Sequence, residues 1–162
     1  MSNKSEKTLI LYATKHGAAR EIARRISEKI DGAETCDLKQ NAIPDLSEYD
    51  CVIFGSSIYA GTMRKEARMF LSQNADVLNS KRLGLFISGM DKNNEKEVLS
   101  SALPKELTHS AKAVSFLGGI FDPQKAGFFG RLIMKAATKQ SKYTDTIDDE
   151  KISEFVKAVM IR

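Results

Sequence analysis

Cysteine is scarce in this 162-residue chain: only Cys36 and Cys51, each in its own apolar segment. Neither belongs to a CxxC pair or a Cys/His cluster. No disulfide and no metal site is therefore expected, and a reducing cytoplasm is the expected compartment. Also missing is any apolar run near the ~20 residues of a membrane-crossing helix. The opening MSNKSEK is polar and leads straight into a strand pattern, so no signal-peptide core is expected and residues 1–6 read as a flexible start. Without repeats, low-complexity tracts or linkers, the chain reads as one domain spanning 1–162. No Ser-His-Asp or Cys-His arrangement is present either. Glu95 and Glu97, like Asp148 to Glu150, sit at polar helix starts, where acids complement the helix dipole. His109 reads as a surface residue.

Acidic residues are the minority: 21 against 25 basic ones, a formal charge of +4 and a pI near 9.0. A basic balance suits anionic membranes, nucleic acid or acidic ligands, and equally an ordinary solvated surface. For nucleic acid there is only scattered charge and no motif, so no such partner is expected.

What is present is an alternation. Residues 7–13 (KTLILYA), 50–56 (DCVIFGS), 82–89 (RLGLFISG) and 112–120 (KAVSFLGGI) are apolar runs of strand length, with a shorter strand at 33–38. Between them, 18–30 places Ala19, Ile22, Ala23, Ile26 and Ile30 on one helical face, with Gly32 as its stop. Further helices are predicted at 63–75, 94–103 (ended by Pro104), 128–141 and 148–160. Strands alternating with helices predict an α/β three-layer sandwich, a five-stranded parallel sheet in the order 2-1-3-4-5 covered on both faces. Ligands of such sheets bind beyond the carboxyl ends of the strands, where strands 1 and 3 part. The loops to read are therefore 14–19, 56–62, 89–94 and 120–128.

The first loop, within YATKHGAAR (12–20), stands between a strand and a helix. A helix N-terminus offers unpaired N–H groups and partial positive charge to an anion. Gly17 allows close approach, Thr14 can donate its hydroxyl, and Lys15 adds charge. The other reading is a plain turn, with Thr14 or His16 capping the helix. The turn lacks GxGxxG, which argues against a nicotinamide cofactor. In the second loop, GSSIYAGTM (55–63), Tyr59 offers a face for a flat aromatic cofactor and Ala60–Gly61 offers backbone groups. Taken alone, Tyr59 also reads as a turn residue packing on its own scaffold.

Taken together, the strand ending in Thr-x-x-Gly, GSSIYAG after the third strand and ISGMD after the fourth resemble the flavodoxin-type FMN-binding fold over nearly the whole chain. Residues 115–146, above all GRLIMK and the later TDT, resemble the closing section of the menaquinone-dependent protoporphyrinogen IX dehydrogenases. The resemblance implies FMN as cofactor. It implies a phosphate loop at Thr14, Lys15, His16, Gly17, Ala18 and Ala19, where Thr14 and Gly17 match the T-x-T-G-x-T pattern and His16 and Ala19 replace two of its hydroxyls. It implies ring contacts from Ser56, Ser57, Ile58, Tyr59, Ala60 and Gly61, with Gly61 near the flavin N5 in a peptide that can respond to reduction. Ser88, Gly89, Met90 and Asp91 are then placed to meet the pyrimidine end. SIYAG departs from the arginine-tyrosine-glycine ending associated with the dehydrogenases. The implied activity is an FMN-dependent oxidoreductase passing electrons to a quinone; the alternative is a flavodoxin-type carrier docking on redox proteins. No residue is assigned as acid or base.

Flavodoxins are typically acidic, and this chain is basic. Lys125, Arg131, Lys135, Lys139 and Lys142 are unaccompanied by acids between 125 and 142. A helix there carries a basic stripe, Arg131, Lys135, Lys139 and Lys142, beside an apolar one, Phe129, Leu132, Ile133, Ala136 and Ala137. With Phe128 and Phe129 at its start, it can lie on the inner face of an anionic membrane or simply cover the sheet.

Overall fold

A computed structural model describes residues 5–138 and 142–162. Five parallel strands form the body of its six-stranded sheet, β1 (Thr8–Ala13), β2 (Glu34–Asp37), β3 (Cys51–Tyr59), β4 (Arg82–Ser88) and β5 (Ala113–Phe116), and the short Thr62–Met63 strand pairs antiparallel with the end of β3. Their spatial order is β2-β1-β3-β4-β5, as the alternation predicts. The helices are α1 (Ala18–Ser27), α2 (Lys65–Asn79), α3 (Glu95–Ala102), α4 (Lys105–Ser110), α5 (Pro123–Thr138) and α6 (Asp149–Met160).

Strand periodicity builds two apolar layers. Successive strand side chains point to opposite faces, so Leu9, Leu11, Val52, Phe54, Leu83 and Leu85 meet Phe70, Leu71 and Leu78 of α2. Ile10, Tyr12, Ile53 and Phe86 point the other way, onto Ile22 and Ile26 of α1 and Ile152, Phe155 and Val159 of α6. Phe54 stacks on Phe70 at 5.6 Å, and Phe86 meets Phe155 edge-on at 6.3 Å. The chain leaves β1 toward one face and β3 toward the other. Their carboxyl ends therefore border an open crevice.

The structure corrects several expected boundaries. β3 runs to Tyr59, three residues past its predicted end, because Ile58 and Tyr59 pair back with Met63 and Thr62 in a tight antiparallel hairpin. Pro104 does end the helix before it, but it also starts α4, which the sequence reading omitted. The last strand ends at Phe116; Ile120–Phe121 pairs separately with Thr144–Asp145. α5 begins at Pro123, five residues early, and is interrupted at Gly127 (φ 68°, ψ 179°). That break resets the helical phase. Leu132 and Ala136, predicted on the covered face, are exposed, and Gly130 is buried instead. Lys139 and the side chain of Phe129 lie outside the described residues. At the chain start, both oxygens of Glu6 accept hydrogen bonds from Arg82 (2.9 and 2.6 Å), which anchors the last residue of the stretch expected to be flexible.

Candidate functional site

Two adjoining cavities open at the parting of β1 and β3. The smaller, about 70 Å³, is bordered by Lys15, His16 and Ala18 from the first turn and by Ser57, Ile58, Tyr59, Ser88, Gly89 and Met90 from the ends of β3 and β4. Its far wall is Ile120, Phe121, Ala126 and Met134 from the segment leading through α5. The larger, about 390 Å³, shares Ile58, Tyr59, Gly89, Met90 and Met134 and adds Ala60, Gly61 and Asp91. A separate groove of about 300 Å³ borders His16 and Gly17 on one side and Lys125 and Tyr143 on the other.

The first turn leaves the start of α1 without a side-chain cap, and Gly17 there has φ 100°. The Gly17 N–H donates instead to Thr14 Oγ1 at 2.9 Å, which curls the loop around the helix start. The unpaired N–H groups of the first helical turn remain available to a ligand. Lys15 Nζ lies 3.5 Å from the centre of the Tyr59 ring, a cation–π contact that joins the turn to the β3 hairpin.

Three buried polar atoms have no partner among the described residues: His16 Nε2, Ser57 Oγ and Ser88 Oγ. All three residues border the smaller cavity. Ser57 and Ser88 are cross-strand neighbours, so their hydroxyls are offered side by side. Leaving such groups unpaired costs about 1–3 kcal/mol each, which a polar ligand in the cavity would offset.

The His16 imidazole is held below its ordinary 6.5, first by burial and then by the nearby cations Lys15, Arg64 and Lys125; Asp122 opposes them. A histidine whose folded pKa is depressed destabilises the fold as pH falls through its unfolded value. The ligand-free protein is therefore expected to lose stability as pH drops through 6.5, and His16→Gln should flatten that slope. An anion bound beside the imidazole raises its pKa again, so anion affinity should strengthen over the same pH range. Denaturation midpoints and titrations across that range check both signs; an unchanged slope in the variant would count against them.

Other expected site residues are placed differently. Thr14 borders none of the three spaces, and neither do Ala19 and Ser56, both fully buried. The Ser56 hydroxyl donates to Ser57 O, so both offer only backbone. Asp91 accepts from Asn93 N and Asn94 Nδ2 and caps a short helical turn beside the larger cavity. Of the wall residues, Ile120, Phe121 and Ala126 fall within the expected loop 120–128, although none was named as a site residue, and Gly119 and Met134 lie outside it. They are brought to the site by the segment after β5, whose path periodicity does not reveal. The TDT stretch explains that path. Thr146 Oγ1 accepts from the Gly119 N–H at 3.1 Å, and Asp145 pairs with Arg25, which also pairs with Glu21 and Asp149.

A doubly wound sheet in the order β2-β1-β3-β4-β5, with an uncapped helix start and an apolar cleft at the strand parting, defines the flavodoxin-like class. A family model described as a flavodoxin domain matches residues 9–148, and the chain belongs to that family. Among curated proteins, the protoporphyrinogen IX dehydrogenase [quinone] of Escherichia coli strain K12 is 32% identical over 78 residues, which are 46% of this chain and 43% of that protein. Among solved structures, oxidised flavodoxin 1 from Bacillus cereus superimposes with a TM-score of 0.60 at 16% identity, over 95% of this chain and 97% of that one. A flavoprotein from Lactobacillus acidophilus NCFM, solved in complex with FMN, gives 0.56 at 17% identity, over 69% and 93%.

Proposed function

We propose that this chain binds FMN in the crevice and acts as an FMN-dependent oxidoreductase, taking electrons from a reduced substrate and passing them to a quinone. The observation that carries the reading is the trio of partnerless polar atoms, His16 Nε2, Ser57 Oγ and Ser88 Oγ, around one cavity at the strand parting. Thr14, Lys15, His16, Gly17 and the backbone of Ala18 and Ala19 hold the phosphate. Residues Ser56 to Gly61 and Ser88 to Asp91 hold the rest of the cofactor and keep water from it. When bound, FMN supplies the redox chemistry; the protein's share is binding, orientation and local charge. The partial likeness to the E. coli dehydrogenase and the basic charge support an enzyme acting on a carboxylated substrate over a carrier that docks on redox proteins.

Among the described residues no helix is long and apolar enough to cross a membrane. A peripheral contact through α5 fits its outer face, where Phe128 and Leu132 are 65% and 50% exposed beside the exposed Arg131 and Lys135. Lys142 follows shortly after. Equal sedimentation with neutral and anionic vesicles would rule that contact out.

Titration of the cofactor-free protein with FMN tests the main reading. Ser88→Ala gives its sharpest form. Removing a buried, partnerless hydroxyl should leave the free protein as stable as before or slightly more so. FMN affinity should nevertheless fall roughly tenfold, the worth of one hydrogen bond in the complex. Undiminished affinity would separate Ser88 from the cofactor, and no FMN binding by the parent protein would end the proposal. If FMN binds, porphyrin fluorescence after adding protoporphyrinogen IX and a menaquinone analogue separates enzyme from carrier. Turnover no faster than without protein favours the carrier.

A further inference from the structure

The last strand of the sheet, β5, has a neighbour on one side only among the described residues. The opposite edge, β2, is closed by its own turn: the Asp37 N–H donates to Asn41 Oδ1 at 3.2 Å, and the Asp37 carbonyl accepts from Asn41 N at 3.0 Å. Among the described residues no turn closes β5 in this way. The Lys112 N–H donates inward to Leu83 O at 2.7 Å. By strand alternation Val114 also bonds inward, whereas Ala113 and Ser115 turn their N–H and C=O groups outward. A groove of about 420 Å³ runs along this edge, between Leu99 of α3 and Phe155 and Ala158 of α6. At its Phe116 end, Lys151 of α6 donates to both oxygens of Glu95 of α3 (2.9 and 3.0 Å).

We propose that the open edge of β5 pairs antiparallel with β5 of a second copy of this chain, about a two-fold axis through Val114, joining the two sheets into one. Open strand edges are templates for such pairing, and a two-fold contact needs a surface that complements itself. This edge does so in its backbone, its apolar centre and its charges. With Val114 opposite Val114 of the second copy, Ala113 faces Ser115 at both ends. These are the residues with outward groups, so they make two hydrogen-bonded pairs with four N–H···O=C bonds. A register shifted by two leaves one such pair within β5. Val114, Phe116 and Leu99 belong to the layer that packs on α2, and Lys112, two residues before Val114, lies on that same face of the strand. Val114 therefore meets its symmetry mate beside Leu99. The reversed strand direction brings Lys112 of each copy to the end where Glu95 of the other stands, so opposite charges meet at both rims.

Sedimentation of the purified chain over a range of concentrations tests the proposal. One short strand per copy makes a small interface, so the parent should pass from monomer to dimer at about 10–100 μM. Ser115→Pro removes an outward N–H that the monomer does not use, a setting in which an edge strand tolerates proline. It should keep the parent's unfolding midpoint at high dilution. Dimerisation should weaken at least about tenfold, because two symmetry-related bonds are lost. Lys112→Glu leaves the strand's hydrogen bonds in place and should weaken pairing severalfold, less so in high salt. Val114→Cys locates the contact. Opposed residues of a non-hydrogen-bonded antiparallel pair have Cα atoms about 4.5 Å apart, within disulfide reach, so mild oxidation should link two copies. The natural Cys36 and Cys51 are buried, and the parent should not cross-link. A parent that stays monomeric throughout this range would overturn the proposal, whether the edge then takes another protein's strand or only water. So would dimers that neither Ser115→Pro nor Lys112→Glu weakens and that Val114→Cys does not cross-link.

Discussion

Gly118→Ala is expected to unfold this protein more readily than any other single methyl added at a left-handed glycine. Gly118 has φ 84°, and a Cβ there would stand 2.0 Å from the Thr146 carbonyl oxygen and 2.9 Å from Ile147 Cα. Those atoms are backbone and cannot rotate aside. Positive φ alone costs about 1–2 kcal/mol for an L-residue, and overpacking adds roughly 1–3 kcal/mol. A loss of about 3 kcal/mol or more follows, lowering Tm by roughly 6–12 °C in a domain of this size. The damage should reach the site. The Gly118 carbonyl accepts from the Gly89 N–H (3.0 Å), and Thr146 N donates to Gly119 O (2.8 Å). Pushing these apart moves Ser88–Met90 away from the cavity, so FMN binding should weaken even at temperatures where the variant is folded. Gly32→Ala is the control. Its φ is 70° with nothing within 4 Å of the added carbon, so it bears the strain alone. If the two variants unfold at the same denaturant midpoint, the close approach at Thr146 is not what the geometry says it is.

Thr14→Asp should cost the proposed phosphate site most while sparing the fold. The Thr14 hydroxyl accepts from the Gly17 N–H, and an aspartate oxygen can accept the same bond, so the loop keeps its shape. Helix starts also favour a negative charge. Two like charges about 4 Å apart near a protein surface repel by roughly 4 kcal/mol before salt screening. FMN affinity should therefore fall at least about a hundredfold, with the unfolding midpoint unchanged. Thr14→Asn, which keeps the acceptor without the charge, should lose less than about tenfold. Titration of all three proteins decides it: equal affinities would move the phosphate away from α1.

The opening turn shows how far sequence reading reached. The apolar run of β1 followed by the periodic face of α1 located a strand, a turn and a helix start, and Thr14 and Gly17 stood out as residue types suited to an anion. Their hydrogen bond could be anticipated from three-residue spacing. The burial of Ala19 could be anticipated too, since it belongs to the same face as Ile22 and Ile26. Two features were less legible. The β3 hairpin looked like a loop because Ser-Ser and Ala-Gly carry weak strand signals; pairing with Thr62–Met63 overrides them. α5 looked like a sheet-covering helix counted from residue 128. Pro123 and Gly127 shift its start and phase, so Gly130 is buried and Leu132 faces outward.

Local chemistry thus determined the five main strands, most of the helices and the end of the sheet where a ligand would bind, because periodicity and turn residues act over a few neighbours. Only the tertiary structure decided what closes the site. Ser57 and Ser88 are 31 positions apart in sequence, yet neighbouring strands in register set them side by side. Thr146 reaches Gly119 and brings the α5 segment over the cavity. Lys15 reaches the Tyr59 ring across the crevice. These pairings depend on which strands become neighbours and on how closely two backbones approach, and neither is written in any single stretch of residues.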